Sequence, residues 1–148
     1  MKTTELGESS GKAFRTFEDL EVYQAAREFR KAMYRVSRRL PEEEKYGLAS
    51  QVRRAAVSLT NNIAEGHGRF HFLEQIKFCL QSRGSLQELV DDLNVCNDER
   101  YLEEREILLL EATGMERLST SERIHPLSAP AKRWQFYEVE RVVPRLWS

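Results

Sequence analysis

The stretch GLASQVRRAAVSLTNNIAEGHGR, residues 47–69, decides the fold. Within it Leu48, Val52, Ala55, Leu59 and Ile63 recur at steps of four, three, four and four, the spacing that lines up one face of an α-helix. A strand would alternate its side chains with period two, so this pattern is wrong for a sheet. Ala49, Ser50, Ala55, Ala56 and Ser58 are small enough for a second helix to come close, and Gly66 with Gly68 is expected to stop the helix.

The same periodicity extends outward in both directions. Upstream, Val22, Ala26, Phe29, Met33, Val36 and Leu40 form a seam, preceded by Thr16 and Asp19 at capping-box spacing and closed by Pro41. Glu42, Glu43 and Glu44 suit the positive end of the next helix. Downstream, a third helix is expected from about Phe70 to Asn97, with Phe72, Ile76, Cys79, Leu86, Val90 and Leu93 on one face. Asn97 and Asp98 read as a turn. A fourth helix then opens on Glu103, Glu104 and Glu106, with the rows Ile107, Leu110, Gly114, Leu118 and Leu108, Ala112, Met115. No run has strand alternation, so the fold class is all-α. Short connections near positions 41, 67 and 100 predict an antiparallel up-and-down four-helix bundle over residues 15–118. Residues 1–14 read as a flexible N-terminus. Residues 119–148 form a C-terminal extension with Pro126, Pro130, Pro144, Trp134, Phe136, Tyr137 and Trp147, whose aromatics are expected to dock on the bundle.

A chain of 148 residues with 41% hydrophobic and 32% charged residues is that of one globular domain. No apolar run approaches the ~20 residues of a bilayer span, and the polar N-terminus lacks a signal-peptide core, so a cytoplasmic protein without membrane contact is expected. Cys79 and Cys96 both lie in apolar helical stretches, which excludes a disulfide framework and favours core packing. The net charge of -1 conceals an asymmetry. Residues 12–87 carry 14 cations against 9 carboxylates, a surplus of +5, whereas residues 88–111 carry 2 against 9, or -7. One domain with a basic and an acidic region can steer a polyanion to one face, or can complement a second copy of itself.

Three separated blocks carry a family likeness: residues 47–69, FEDLEVYQAA from Phe17, and SRGSLQEL from Ser82. Together they resemble the four-helix-bundle family of 23S rRNA-intervening-sequence proteins, which includes the accessory variability determinant of diversity-generating retroelements. The resemblance implies a bundle that assembles with itself into a homopentameric ring. It implies no enzyme and no cofactor, since the retroelement members are noncatalytic partners of a reverse transcriptase and its template RNA. The chain departs from the family pattern at Thr60, where proline is usual, in a pI of about 6.3 against the basic retroelement members, and in the extension from Ser119.

Arg27, Lys31, Arg35 and Arg38 follow at steps of four, four and three, a stripe opposite the first helix's seam with Arg30 and Arg39 flanking it. Such a stripe binds phosphates or is simply a solvated face. Arg53 and Arg54 lie in the best-matching block and point about a quarter-turn apart, so one at most faces the bundle and the other is available to a phosphate or a neighbour. Arg83 interrupts an apolar row and needs a carboxylate, for which Glu65 is the first choice and Glu88 the second, an architectural ion pair. His67, His71 and Glu74 would share a face only if one helix ran through all three, and no metal site is expected there. The expected function is therefore that of a noncatalytic, homo-oligomeric accessory or adaptor protein associated with RNA or a reverse transcriptase complex. The alternative is a structural scaffold for a protein partner without nucleic acid.

Overall fold

The computed structural model describes residues 16–119. Among them are four α-helices and no strand: α1 Glu21–Arg39, α2 Leu48–Gly68, α3 Phe72–Asp98 and α4 Glu104–Ser119. The expected docking of the aromatics beyond residue 119 lies outside the described residues, as does the reading of residues 1–14.

Thr16 and Asp19 do form a capping pair: the Thr16 hydroxyl accepts the Glu18 N–H and the Asp19 carboxylate accepts the Thr16 N–H, both at 3.3 Å. They cap a short 3-10 turn, Phe17–Asp19, and not the long helix, which begins at Glu21. The three glutamates after Pro41 likewise form their own 3-10 turn instead of opening α2. Glu44 still serves α2 from there. Its Oε2 accepts the Leu48 N–H at 2.9 Å, satisfying one of the orphan donors of the first turn, and its Oε1 accepts the Tyr101 hydroxyl at 3.1 Å. One carboxylate thus caps a helix and holds the distant α3–α4 connection. Glu44→Ala is expected to cost about 1–2 kcal/mol in urea unfolding, the range of a lost cap, and Tyr101→Phe clearly less.

The core is built around α2. Leu48, Val52, Ala55, Leu59 and Ile63 are all buried, as their spacing predicts, and they meet Ala26, Phe29, Met33 and Val36 of α1. The α3 face differs from expectation. Its buried residues are Gln75, Ser82, Ser85, Leu86, Leu89, Asp92, Leu93 and Cys96, while Phe72, Ile76, Cys79 and Val90 are only half-buried. The reason is the α2–α3 contact, the most extensive among the described elements. There the Ser82 hydroxyl donates to the Leu59 carbonyl and the Ser85 hydroxyl to Ser58 Oγ, each at 2.8 Å, so small hydroxyls replace bulk and the helices close on one another.

α3 runs through Asn97 and Asp98, where a turn is expected, and the chain turns two residues further on, at Arg100. Arg100 takes the left-handed conformation, φ 58°, with Tyr101 N–H bonded to the Cys96 carbonyl and Arg100 N–H to the Asn97 carbonyl. This is a Schellman close in which arginine stands where glycine is usual. α4 packs mainly on α1, burying Ile107 and Gly114, and its second row is exposed at Leu108 and Ala112.

Candidate nucleic-acid interface

The seam of α1 faces the core, so its opposite side must carry the polar residues, and there the sequence supplies cations at helical spacing. Four of them, Arg30, Lys31, Arg35 and Arg38, surround Tyr34 and line a recess of about 380 Å³ that no carboxylate of the described residues lines. Arg27 lies one turn earlier on the same exposed side. Lys31 reaches Glu28 at 2.7 Å, and that hydrogen bond, more than the charges of Arg27 and Arg35, holds the exposed Glu28 carboxyl below its usual range. Arg39 turns away to a two-pronged contact with Glu106 of α4, which raises its own pKa.

Arg30 is held from beneath. Its Nη1 donates at 2.8 Å to the hydroxyl of Thr60, a side chain without solvent exposure, which passes its own proton to the Val57 carbonyl at 3.2 Å. Thr60 is the position where the resemblance leads one to expect proline, and proline could neither accept that bond nor leave the i−4 ladder of α2 intact. α2 runs unbroken through it. The substitution therefore anchors one guanidinium of the recess to the helix behind it.

The other candidates lie elsewhere. Arg53, half-buried on α2, donates to the Lys45 carbonyl at 3.3 Å, and Arg54 meets Glu88 across the α2–α3 contact at 2.9 Å. Glu65 is paired with Arg69 one turn on, whose guanidinium also lies over the Phe78 ring at 4.9 Å. Each of the two carboxylates expected near Arg83 thus has another arginine on it, and Arg83 itself is half-buried on α3. Tyr34 escaped the sequence reading. Its signal was its place between Lys31 and Arg38, three and four residues away, on the row that the cations occupy.

A second group of charges sits in the C-terminal half of α3. Asp92 is buried, its Oδ2 has no hydrogen-bond partner among the described residues, and its carboxyl is pushed up to about 6, first by burial and then by Glu88 and Asp91, with Arg54 opposing. Burial, then Asp92 and Glu44, pushes the nearby Cys96 thiol up to about 11, which keeps it an unreactive packing group at neutral pH. His67 lies in the last turn of α2, His71 caps α3 and Glu74 opens α3, so the single helix face that a metal reading needs is broken between them. Among the described residues no three His, Cys, Asp or Glu side chains converge to hold a metal ion, and no helix is long and apolar enough to cross a membrane.

The family model for the 23S rRNA-intervening sequence protein matches residues 18–126. No curated protein matches the chain. The match spans the four helices and most of the sequence, and the chain belongs to that family.

Proposed function

We propose that this member of the 23S rRNA-intervening sequence protein family is a noncatalytic cytoplasmic adaptor that binds RNA on the outer face of α1. The helices run antiparallel and five chains assemble into a ring, which repeats that face around the assembly. The observation that carries the RNA reading is the recess: four cations line it, of which Lys31 also pairs with Glu28 and Arg30 is fixed by Thr60. An overall charge of -1 is no obstacle, because the acidic surplus belongs to residues 88–111 and phosphate contacts depend on local potential. Apolar side chains left outside at Phe70, Leu73 and Leu80, and at Leu108 and Leu109, support self-association, since surfaces of this kind are usually covered by a partner.

Titration of the purified chain with a structured RNA at several salt concentrations tests this. Affinity is expected to fall with salt, and Arg35→Ala with Arg38→Ala to weaken binding and flatten the logarithmic salt dependence by about 1.4–1.8, the loss of two phosphate contacts. No binding at low salt, or binding without a salt slope, would sink the RNA reading. The same exposed apolar residues favour a second reading, a scaffold that recruits a protein without nucleic acid, which is what remains in that event. Light scattering on the same sample checks the ring, with a mass five times that of one chain expected.

A further inference from the structure

We infer that the α1 recess selects single-stranded RNA by seating an unpaired base against Tyr34, while Lys31, Arg35 and Arg38 hold the flanking phosphates. The inference rests on the RNA reading above and adds the form of RNA that the site accepts. Cations alone would not discriminate, because duplex and single strand present phosphates alike. Tyr34 makes the difference. Its side chain is half-buried, packed against the core on one side and lining the recess on the other, so the ring is fixed before any ligand arrives. A pre-positioned aromatic surface loses little freedom on binding and accepts any base by its π-face.

The cations around it are set for one strand. Lys31, Arg35 and Arg38 follow at four and three residues, about 6 and 4.5 Å along the axis at 1.5 Å per residue, a spacing that follows a strand laid along the helix. Arg30, tied to Thr60, closes the recess from the α2 side and offers a second flat surface for stacking. A recess of about 380 Å³ is of small-ligand size and has room for a base. An A-form duplex keeps its bases stacked, and its deep groove is closed to side chains, so it would touch the arginine tips and leave the recess empty. An acidic peptide would satisfy the cations equally well but gives the ring no base to stack on.

The test compares a short single-stranded RNA, the same strand with abasic sites at every position, and the corresponding blunt duplex, all on the full chain at one low salt concentration. The intact strand is expected to bind roughly ten- to a hundred-fold more tightly than the abasic strand, the range for one or more stacked bases. Tyr34→Leu should remove most of that advantage and shift duplex affinity less than two-fold, while Tyr34→Phe keeps it. The abasic comparison needs no mutation, so it stands even where Tyr34→Leu is poorly folded. Equal affinity for intact and abasic strands overturns the base contact and leaves salt-dependent RNA binding in place. Preference for an acidic peptide over every RNA, or binding to no RNA at all, overturns the RNA reading as well.

Discussion

Replacing Asp92 with asparagine is expected to change stability by an amount that depends on pH, in favour of the variant by about 2–3 kcal/mol more at pH 8 than at pH 4. The carboxyl is buried on α3 with one oxygen unpaired among the described residues, and it ionises near 6 in the fold against 3.8 in a free chain. Below about pH 4 it is neutral in both states and costs little. Between about 4 and 6 the unfolded chain gives up its proton first, so the unfolded state holds fewer protons than the native one and stability falls as pH rises. Above about 6 the native carboxylate is charged too and the full penalty stays. Asparagine removes this titration but brings an amide whose own polar atoms need partners, an offset that does not vary with pH. The diagnostic is therefore the slope of the difference and not its value at one pH. Urea unfolding of both proteins from pH 4 to pH 8 measures it, and parallel curves would mean that Asp92 is solvated or paired.

Asp92 also marks where reading the sequence stops working. The α2 face was legible because every buried residue on it is apolar or small, so period and polarity agree at Leu48, Val52, Ala55, Leu59 and Ile63. On α3 they disagree. Gln75, Ser82, Ser85 and Asp92 are buried, and three of these four gain their place from a contact or an environment on α2 that lies more than twenty residues away or from burial itself. A hydropathy pattern ranks such positions as solvent-facing and assigns the seam to Phe72, Ile76 and Val90 instead. The basic stripe of α1 was legible from spacing alone, since it depends on one helix. What turned Arg30 from a flank of the stripe into part of the recess was not, because the Arg30–Thr60 hydrogen bond joins two helices thirty residues apart in sequence. The third kind of miss is conformational. Arg100 adopts the left-handed turn just before Tyr101, whose hydroxyl reaches Glu44, and nothing in the residue type announces it.

Gly114→Leu is expected to cost about 3 kcal/mol or more and to loosen α4 from α1, whereas Gly84→Ala should add up to about 1 kcal/mol. Both glycines lie inside helices with ordinary backbone angles, so propensity treats them alike and predicts a gain of up to about 1 kcal/mol for either change to alanine. Packing separates them. A Cβ on Gly84 meets nothing within 4 Å among the described residues, and only the propensity gain remains. A Cβ on Gly114 would stand 2.7–2.9 Å from three ring carbons of Phe29, a side chain 2% exposed that cannot swing aside without disturbing Met33 and the α1 seam. Overpacking of that kind outweighs propensity even for alanine, so Gly114→Ala should already be destabilising, and leucine should drive the helices apart. Relief comes from the other side of the contact. Phe29→Ala opens a cavity that costs about 3–5 kcal/mol alone, yet the double variant Phe29→Ala with Gly114→Leu should be more stable than the sum of the two losses by at least about 1 kcal/mol, because the leucine enters the space that the ring vacates. Chemical unfolding of the four proteins closes that cycle. Strict additivity would place α4 away from Phe29, and with it the side of the domain on which Arg39 meets Glu106.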